Sequence, residues 1–372
     1  MMFTKKPYRA VGMMSGTSLD GIDVAEIVTD GDRIFEFGRS AYHAYDDDHR
    51  SMLQAGLGRW PDPELDPLQQ LVERLHIEAA QGFSADILGF HGQTLAHDPA
   101  SGRTHQIGNG QILANHLGLP VAWDFRSRDV AHGGQGAPLA PFFHFACAKY
   151  CGVTEPIAVL NLGGVGNITY VDPSYDDPAE NGAVLAFDTG PANAPINDAM
   201  MARFGRPYDE NGQTATQGRM NADVVRRTMA LDYFAAPAPK SLDRDDFAQV
   251  MDWFSGVKDA DVIATLTHIV VDSVIHAVGQ LPKRPSSLWV TGGGRKNPVI
   301  MSGLSAGLSC PVIPIEAVGL DGDMLEAQAF GYLAVRVARG MPISAPMTTG
   351  VAHPMGGGQI AQPQSRAAAG PT

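Results

Sequence analysis

Met14-Ser15-Gly16-Thr17-Ser18-Leu19-Asp20-Gly21-Ile22-Asp23 is the stretch on which the reading of this chain turns. An apolar run, residues 8–14, leads into it, and another, residues 22–28, leads out, so it forms the turn of a β-hairpin. Glycine in such a turn lets backbone N–H groups approach an anion with no Cβ in the way. Two more Gly-rich turns follow apolar strands: Leu160-Asn161-Leu162-Gly163-Gly164-Val165-Gly166-Asn167 and Val290-Thr291-Gly292-Gly293-Gly294-Arg295-Lys296-Asn297. Alone, each reads equally as a tight structural turn. Three of them, spread over the chain, point to one nucleotide gripped from several sides.

Outward from the first turn, residues 34–42 make a third strand and complete a meander. Residues 67–81 place apolar side chains at helical spacing. A short strand, residues 87–90, ends in His91-Gly92-Gln93-Thr94. Residues 108–117 read as a helix and 121–123 as a strand; residues 124–136 fit neither period, and 139–150 read as a helix. The pattern then restarts: strand 157–162, the Gly163-Gly164 turn, strand 167–171 and strand 184–187. A long helix over 259–278, a strand over 288–291, a helix capped near Asn297-Pro298 and a final helix over 325–339 follow. Strand–turn–strand thus occurs twice, as a duplicated architectural unit.

With 372 residues, 44% hydrophobic and 18% charged, the chain is expected to fold as about two globular domains. We place the first at 1–140, completed by 338–352, and the second at 141–337, with 353–372 a disordered tail. Forty acidic against 27 basic residues, a net charge of −13, argue against a nucleic-acid partner. Cys147, Cys151 and Cys310 form no disulfide or metal framework, which points to a reducing compartment. No signal peptide and no apolar run long enough for a membrane span are expected, so the cytoplasm is the default. Gly303-Leu-Ser-Ala-Gly307 matches a nucleophile-elbow string, but it follows a helix instead of a strand. There is no Walker A string.

Ser15-Gly-Thr-Ser-Leu-Asp-Gly-Ile-Asp23, His91-Gly-Gln-Thr94, Asp124-Phe-Arg-Ser-Arg-Asp129, Gly133-Gly-Gln-Gly-Ala-Pro138, Asn161-Leu-Gly-Gly164, Phe187-Asp-Thr-Gly-Pro191, Lys240-Ser-Leu-Asp-Arg244 and Thr291-Gly-Gly-Gly294 together resemble the anhydro-N-acetylmuramic acid kinases, in the expected order from about residue 8 to 350. The resemblance implies an α/β, two-domain actin/hexokinase/Hsp70-like (ribonuclease-H-like) fold with a nucleotide cleft between the domains. It implies an ATP-dependent reaction that opens the anhydro ring with water and phosphorylates O6, in peptidoglycan recycling, and a homodimer. Ala192, Pro195, Asn197 and Arg295-Lys296 depart from the family's usual residues.

On that resemblance Asp188 is the general base that takes a proton from water. Read from its spacing alone, it serves equally as a helix N-cap. Gly16, Thr17, Ser18, Leu19, Asp20, Gly21, Ile22 and Asp23 would bind ATP with Gly163, Gly164, Gly292, Gly293, Gly294 and Asn297. Asp20 or Asp23 would hold Mg²⁺ through water. His91, Asp124, Arg126, Arg128 and Glu326 are the candidate sugar contacts, an arginine pairing with the lactyl carboxylate. Two other readings remain: a kinase of this fold acting on another sugar or carboxylate, and a non-catalytic nucleotide and sugar sensor.

Overall fold

A computed structural model describes residues 6–242 and 246–364. The chain divides into two compact units, residues 1–150 with 324–372, and residues 151–323.

In the first unit, β1 (Tyr8–Ser15), β2 (Gly21–Thr29) and β3 (Ile34–Ala44) form the expected antiparallel meander. β4 (Ile87–Asp98) lies parallel to β1 and β6 (Val121–Trp123) parallel to β4, while β5 (Arg103–Ile107) folds back antiparallel on the far half of β4. The second unit repeats the plan. β7 (Ile157–Leu162), β8 (Val165–Val171) and β9 (Val184–Pro191) form a meander, and β10 (Leu288–Thr291) and β11 (Val312–Pro314) extend it in parallel from β7. The last strand, β12 (Gln359–Ala361), returns to the first sheet and pairs antiparallel with β6. Both sheets share the order third–second–first–fourth–fifth, counting β6 as the fifth strand of the first. This is the ribonuclease-H-like plan, present twice, of the actin/hexokinase/Hsp70 fold.

Alternation along β1 and β4 explains how the first sheet is covered. Val11, Met13, Leu88 and Phe90 point into an apolar core with Leu68, Leu71 and Val72 of the Asp66–Ala80 helix. On the opposite face the alternate positions include Gly12 and Gly89. A Cβ at Gly12 would lie 1.8 Å from the Ala327 carbonyl oxygen, and one at Gly89 2.2 Å from that of Phe330. The Leu325–Ala338 helix therefore rests its backbone directly on the sheet. Farther along it, the buried Arg336 donates to the carbonyls of Pro342 (2.6 Å) and Gly31 (2.8 Å), tying the helix end to the meander.

Several expectations are corrected. The helices Pro141–Tyr150 and Leu325–Ala338 belong to the first unit, so the chain crosses near residues 150 and 323 instead of 140 and 337. His91 to Thr94 lie inside a strand, because β5 supplies a partner for the polar continuation of β4. Ser127–Ala131 is a short helix within the stretch read as irregular. The tail is ordered by β12 as far as it is described; residues 365–372, and Asp243 and Arg244 of the Lys240 motif, lie outside the described residues. The Asp259–Gly279 helix is long and apolar enough to span a membrane, contrary to expectation, but two thirds of its apolar window is buried within its unit. It is apolar because β9 and the surrounding helices cover it, including Asn193–Phe204 and Pro298–Gly307.

This packing and burial lead to three expected outcomes. Gly12→Ala should lose at least about 3 kcal/mol in a denaturant titration, because the clash is with backbone. Gly279→Ala, with open space around it, should gain up to about 0.5 kcal/mol. His76 and His144 are buried, and desolvation pushes both down to about 4. Below pH 6.5 the unfolded chain binds protons that the native state refuses, so stability falls with pH. The pair should cost about 3 kcal/mol between pH 6.5 and 5; an unfolding free energy that stays flat over this window would contradict the burial.

Candidate active site

The first Gly-rich turn is held from below. Leu19 adopts a left-handed conformation (φ 54°), unusual for a residue with a side chain, and is buried in the core with Ile22. Gly21 is required by packing, since a Cβ there would lie 2.5 Å from the His43 carbonyl oxygen. Leu19, Gly21 and Ile22, read as nucleotide ligands, thus direct no side chain to a ligand; they anchor the turn. Thr17, Ser18 and Asp20 are exposed, and Ser18 Oγ donates to Asp20 Oδ1 at 2.5 Å. Gln93 Nε2 donates to the Gly16 carbonyl (3.1 Å). Tyr42 Oη and the Tyr45 amide both donate to the Asp20 carbonyl (2.8 and 2.9 Å). Asp23 is half-buried in β2 beside the turn.

Four glycines answer no demand of the protein itself. Gly16, Gly163, Gly164 and Gly293 do not have positive φ. A Cβ on each would find its nearest atom at 3.4, 3.6, 3.4 and 3.5 Å, respectively. Gly292 and Gly294 differ: the first has φ 73°, and a Cβ on the second would lie 2.6 Å from Leu162 Cβ. The carbonyls of Gly163 and Gly164 accept the amides of Ala192, Asn193 and Ala194 at the start of the Asn193–Phe204 helix. Asn297 caps the Pro298–Gly307 helix through its Oδ1, a structural duty. Arg295 ties the third turn down, donating to the Gly292 carbonyl and Glu316 (2.9 and 2.8 Å) and pairing with Asp323 at 2.9 Å.

Asp188 lies in β9, while the next helix starts at Asn193 with Ala192 as cap residue, which removes the capping alternative. Pro195 falls in that helix's first turn, where its missing N–H costs nothing. Asn167 Nδ2 donates to Asp188 Oδ1 and the Leu242 amide to Oδ2, both at 2.8 Å. The Asp188 amide donates to the Lys240 carbonyl (3.0 Å), and Tyr233 Oη to the Asp188 carbonyl (2.5 Å). Sequence reading assigned no role to Asn167 or Tyr233. The available signal was Asn167 closing the second Gly-rich string; strand register then puts it opposite Asp188.

In the first unit, His91, Arg126 and Glu326 come together. His91 Nδ1 donates to the Gly92 carbonyl (2.7 Å), and Nε2 accepts from Arg126 Nε (3.0 Å). An arginine can only donate, so the imidazole is neutral, with its proton on Nδ1. Burial and the Arg126 charge push its pKa well below the usual value. With both nitrogens engaged, His91 is a partner of Arg126. Burial pulls Arg126 down to about 10, while the charges of Glu326 and Asp129 raise it. Arg126 also donates to the Gly136 carbonyl at 2.6 Å. Arg128 is exposed and outside this cluster, and Asp124 accepts from Gln359 (2.8 Å). Asp129 is buried, accepting from the Gly136 amide and Thr349 Oγ1, both at 2.7 Å.

The family model of anhydro-N-acetylmuramic acid kinase matches residues 8–363. The chain belongs to this family. Anhydro-N-acetylmuramic acid kinases similar to it include that of Roseobacter denitrificans, 55% identical over 98% of this chain and 97% of the relative. Those of a Ruegeria species and of Cereibacter sphaeroides are each 54% identical, covering 96% of this chain and 96% and 97% of the relative. As a member of the anhydro-N-acetylmuramic acid kinase family, the chain should use its unforced glycines to admit a nucleotide. Gly163→Ala and Gly293→Ala should keep the melting temperature within about 2 °C and weaken ATP binding about tenfold by calorimetry. Gly294→Ala should lower stability itself.

Proposed function

We propose that this protein is an ATP-dependent kinase that converts 1,6-anhydro-N-acetylmuramic acid and water to N-acetylmuramic acid 6-phosphate, in the recycling of peptidoglycan sugars. The family match over residues 8–363 carries this reading.

In the proposed reaction, the oxygen of a water bonds to the anomeric carbon as the bond from C1 to O6 breaks. Asp188 accepts the water proton. O6 bonds to the γ-phosphorus, and the bond from that phosphorus to the ADP oxygen breaks. Asp188 is suited to the base role because it is a half-buried carboxylate whose oxygens and backbone are held by named donors and an acceptor. A positioned base contributes about 10²–10⁴-fold. Gly16, Thr17 and Ser18 would receive the transferring phosphate, where positioning and electrostatics do most of the catalysis. Gly163 and Gly164, their carbonyls already engaged, would offer amides to phosphate oxygens. Gly292, Gly293 and Gly294 would let the backbone pass close to the nucleoside.

Arg126 is the residue for the lactyl carboxylate, its direction set by His91 and the Gly136 carbonyl. Arg128, exposed, and Asp124, held by Gln359, would have at most a secondary part in sugar binding. Mg²⁺ keeps several waters and takes one or two carboxylates. Asp20 and Asp23 beside the turn fit that mode, and the ion would neutralise phosphate charge. A cytoplasmic homodimer completes the reading, the dimer to be checked by sedimentation.

A coupled ADP-release assay with 1,6-anhydro-N-acetylmuramic acid, ATP and Mg²⁺ tests it. Wild type should turn over only with the sugar, and Asp188→Asn should lose at least about 10³-fold in kcat while still binding ATP. Nucleotide binding without turnover on this sugar would instead favour a kinase for another substrate or a sensor.

A further inference from the structure

Residues 233–242 engage Asp188 at three points, and its neighbour Phe187 at a fourth, that the reaction scheme above does not require. The Leu242 amide reaches Oδ2 of the carboxylate (2.8 Å), and the Lys240 carbonyl takes the Asp188 amide (3.0 Å). Tyr233 Oη donates to the Asp188 carbonyl (2.5 Å). The fourth contact is a ring: the Lys240 ammonium lies 6.0 Å from the ring centre of Phe187, the residue before Asp188. This segment is itself moored. Lys240 Nζ donates to the carbonyls of Tyr233 (2.9 Å), Ala236 (3.0 Å) and Phe234 (3.5 Å), and sits 4.7 Å from the Tyr233 ring centre. His276 of the Asp259–Gly279 helix and its C-cap residue Gln280 also bind the Phe234 carbonyl (2.8 and 3.2 Å).

We propose that residues 233–242 form a positioning strap for the Asp188 carboxylate, with Lys240 as its mooring. The inference rests on Asp188 being the base. Among the described contacts, Lys240 spends its ammonium on backbone carbonyls and aromatic faces, although a lysine in a kinase invites assignment to phosphate. Burial lowers its pKa and raises that of Tyr233, whose hydroxyl stays a donor, helped by the charges of Asp188 and Asp246. Asn167 holds Oδ1 from β8, and the Leu242 amide of the strap holds the other oxygen. Loss of the mooring frees the Leu242 amide and lets the carboxylate rotate. Misplacement of a reacting group by about 1 Å costs about 10²-fold in rate, without touching the groups that bind ATP or sugar.

The experiment measures kcat, KM for both substrates and melting temperature for Lys240→Met, Lys240→Arg, Tyr233→Phe and Asp188→Asn. Lys240→Met should lower kcat about 10- to 100-fold with both KM values within about twofold. Lys240→Arg, still a multiple donor, should recover part of the rate. Tyr233→Phe, which removes one hydroxyl and keeps the ring, should lower kcat about fivefold with KM unchanged, and it decides the matter if Lys240→Met does not fold. Unchanged kcat in folded Lys240→Met or in Tyr233→Phe, or a loss confined to KM, overturns the strap. Full turnover by Asp188→Asn overturns the reading on which it rests, which separates the two failures.

Discussion

A helix backbone laid directly on a sheet is the contact on which the first unit depends. Gly12 and Gly89 give the Leu325–Ala338 helix a seat that no side chain could share. Gly331 returns the favour, because a Cβ there would sit 2.9 Å from Ile27. A helix seated this close has little freedom to slide, so its polar residues come to fixed places. Glu326, in its first turn, is delivered to Arg126. Arg336, near its end, reaches the Gly31 carbonyl across the sheet. Phe330 packs 4.6 Å from the His91 ring centre and 5.2 Å from that of Phe125. The buried polar cluster and the core packing of this unit therefore share one element.

Electrostatics in that cluster follow from burial more than from charge count. The chain is acidic overall, yet the residue proposed to meet a carboxylate is an arginine stripped of much of its water. Burial makes the guanidinium costly to keep charged, and Glu326 and Asp129 offset part of that cost. His91 supplies an acceptor without charge, which holds the Nε edge while adding no repulsion. A charged imidazole would have competed with the arginine for the same anion.

Much of this was readable from residue order. Apolar runs closed by glycine gave both meanders, since a strand buried on both faces writes a continuous apolar run and its turn needs glycine or polar residues. The ownership of the 325–338 helix was not readable, because helical period shows a buried face and not which sheet buries it. Gly12 and Gly89, isolated in strands, were the missed signal for a close backbone approach. The far half of β4 was hidden because its polar residues become strand only when β5 pairs with them. Asp188 and the Gly-rich turns stand out through their strings; the contacts that hold Asp188 do not, since Tyr233 and Leu242 come from 45 and 54 residues away in sequence.

The repeated sheet order has a consequence for how two halves of one plan diverge. In each unit the turn from first to second strand carries a phosphate-type motif, at Gly16 and at Gly163. The end of the fourth strand differs. After β10 the chain breaks into glycines at residues 292–294 and leaves the sheet. After Phe90, the corresponding place in β4, the strand runs on through His91 and Gln93 because β5 supports it. One topological position is thus a Gly-rich turn in one copy and, in the other, a strand that carries His91 to Arg126. A hairpin added to one copy suffices to make two halves built on one plan end their fourth strands in different chemistry.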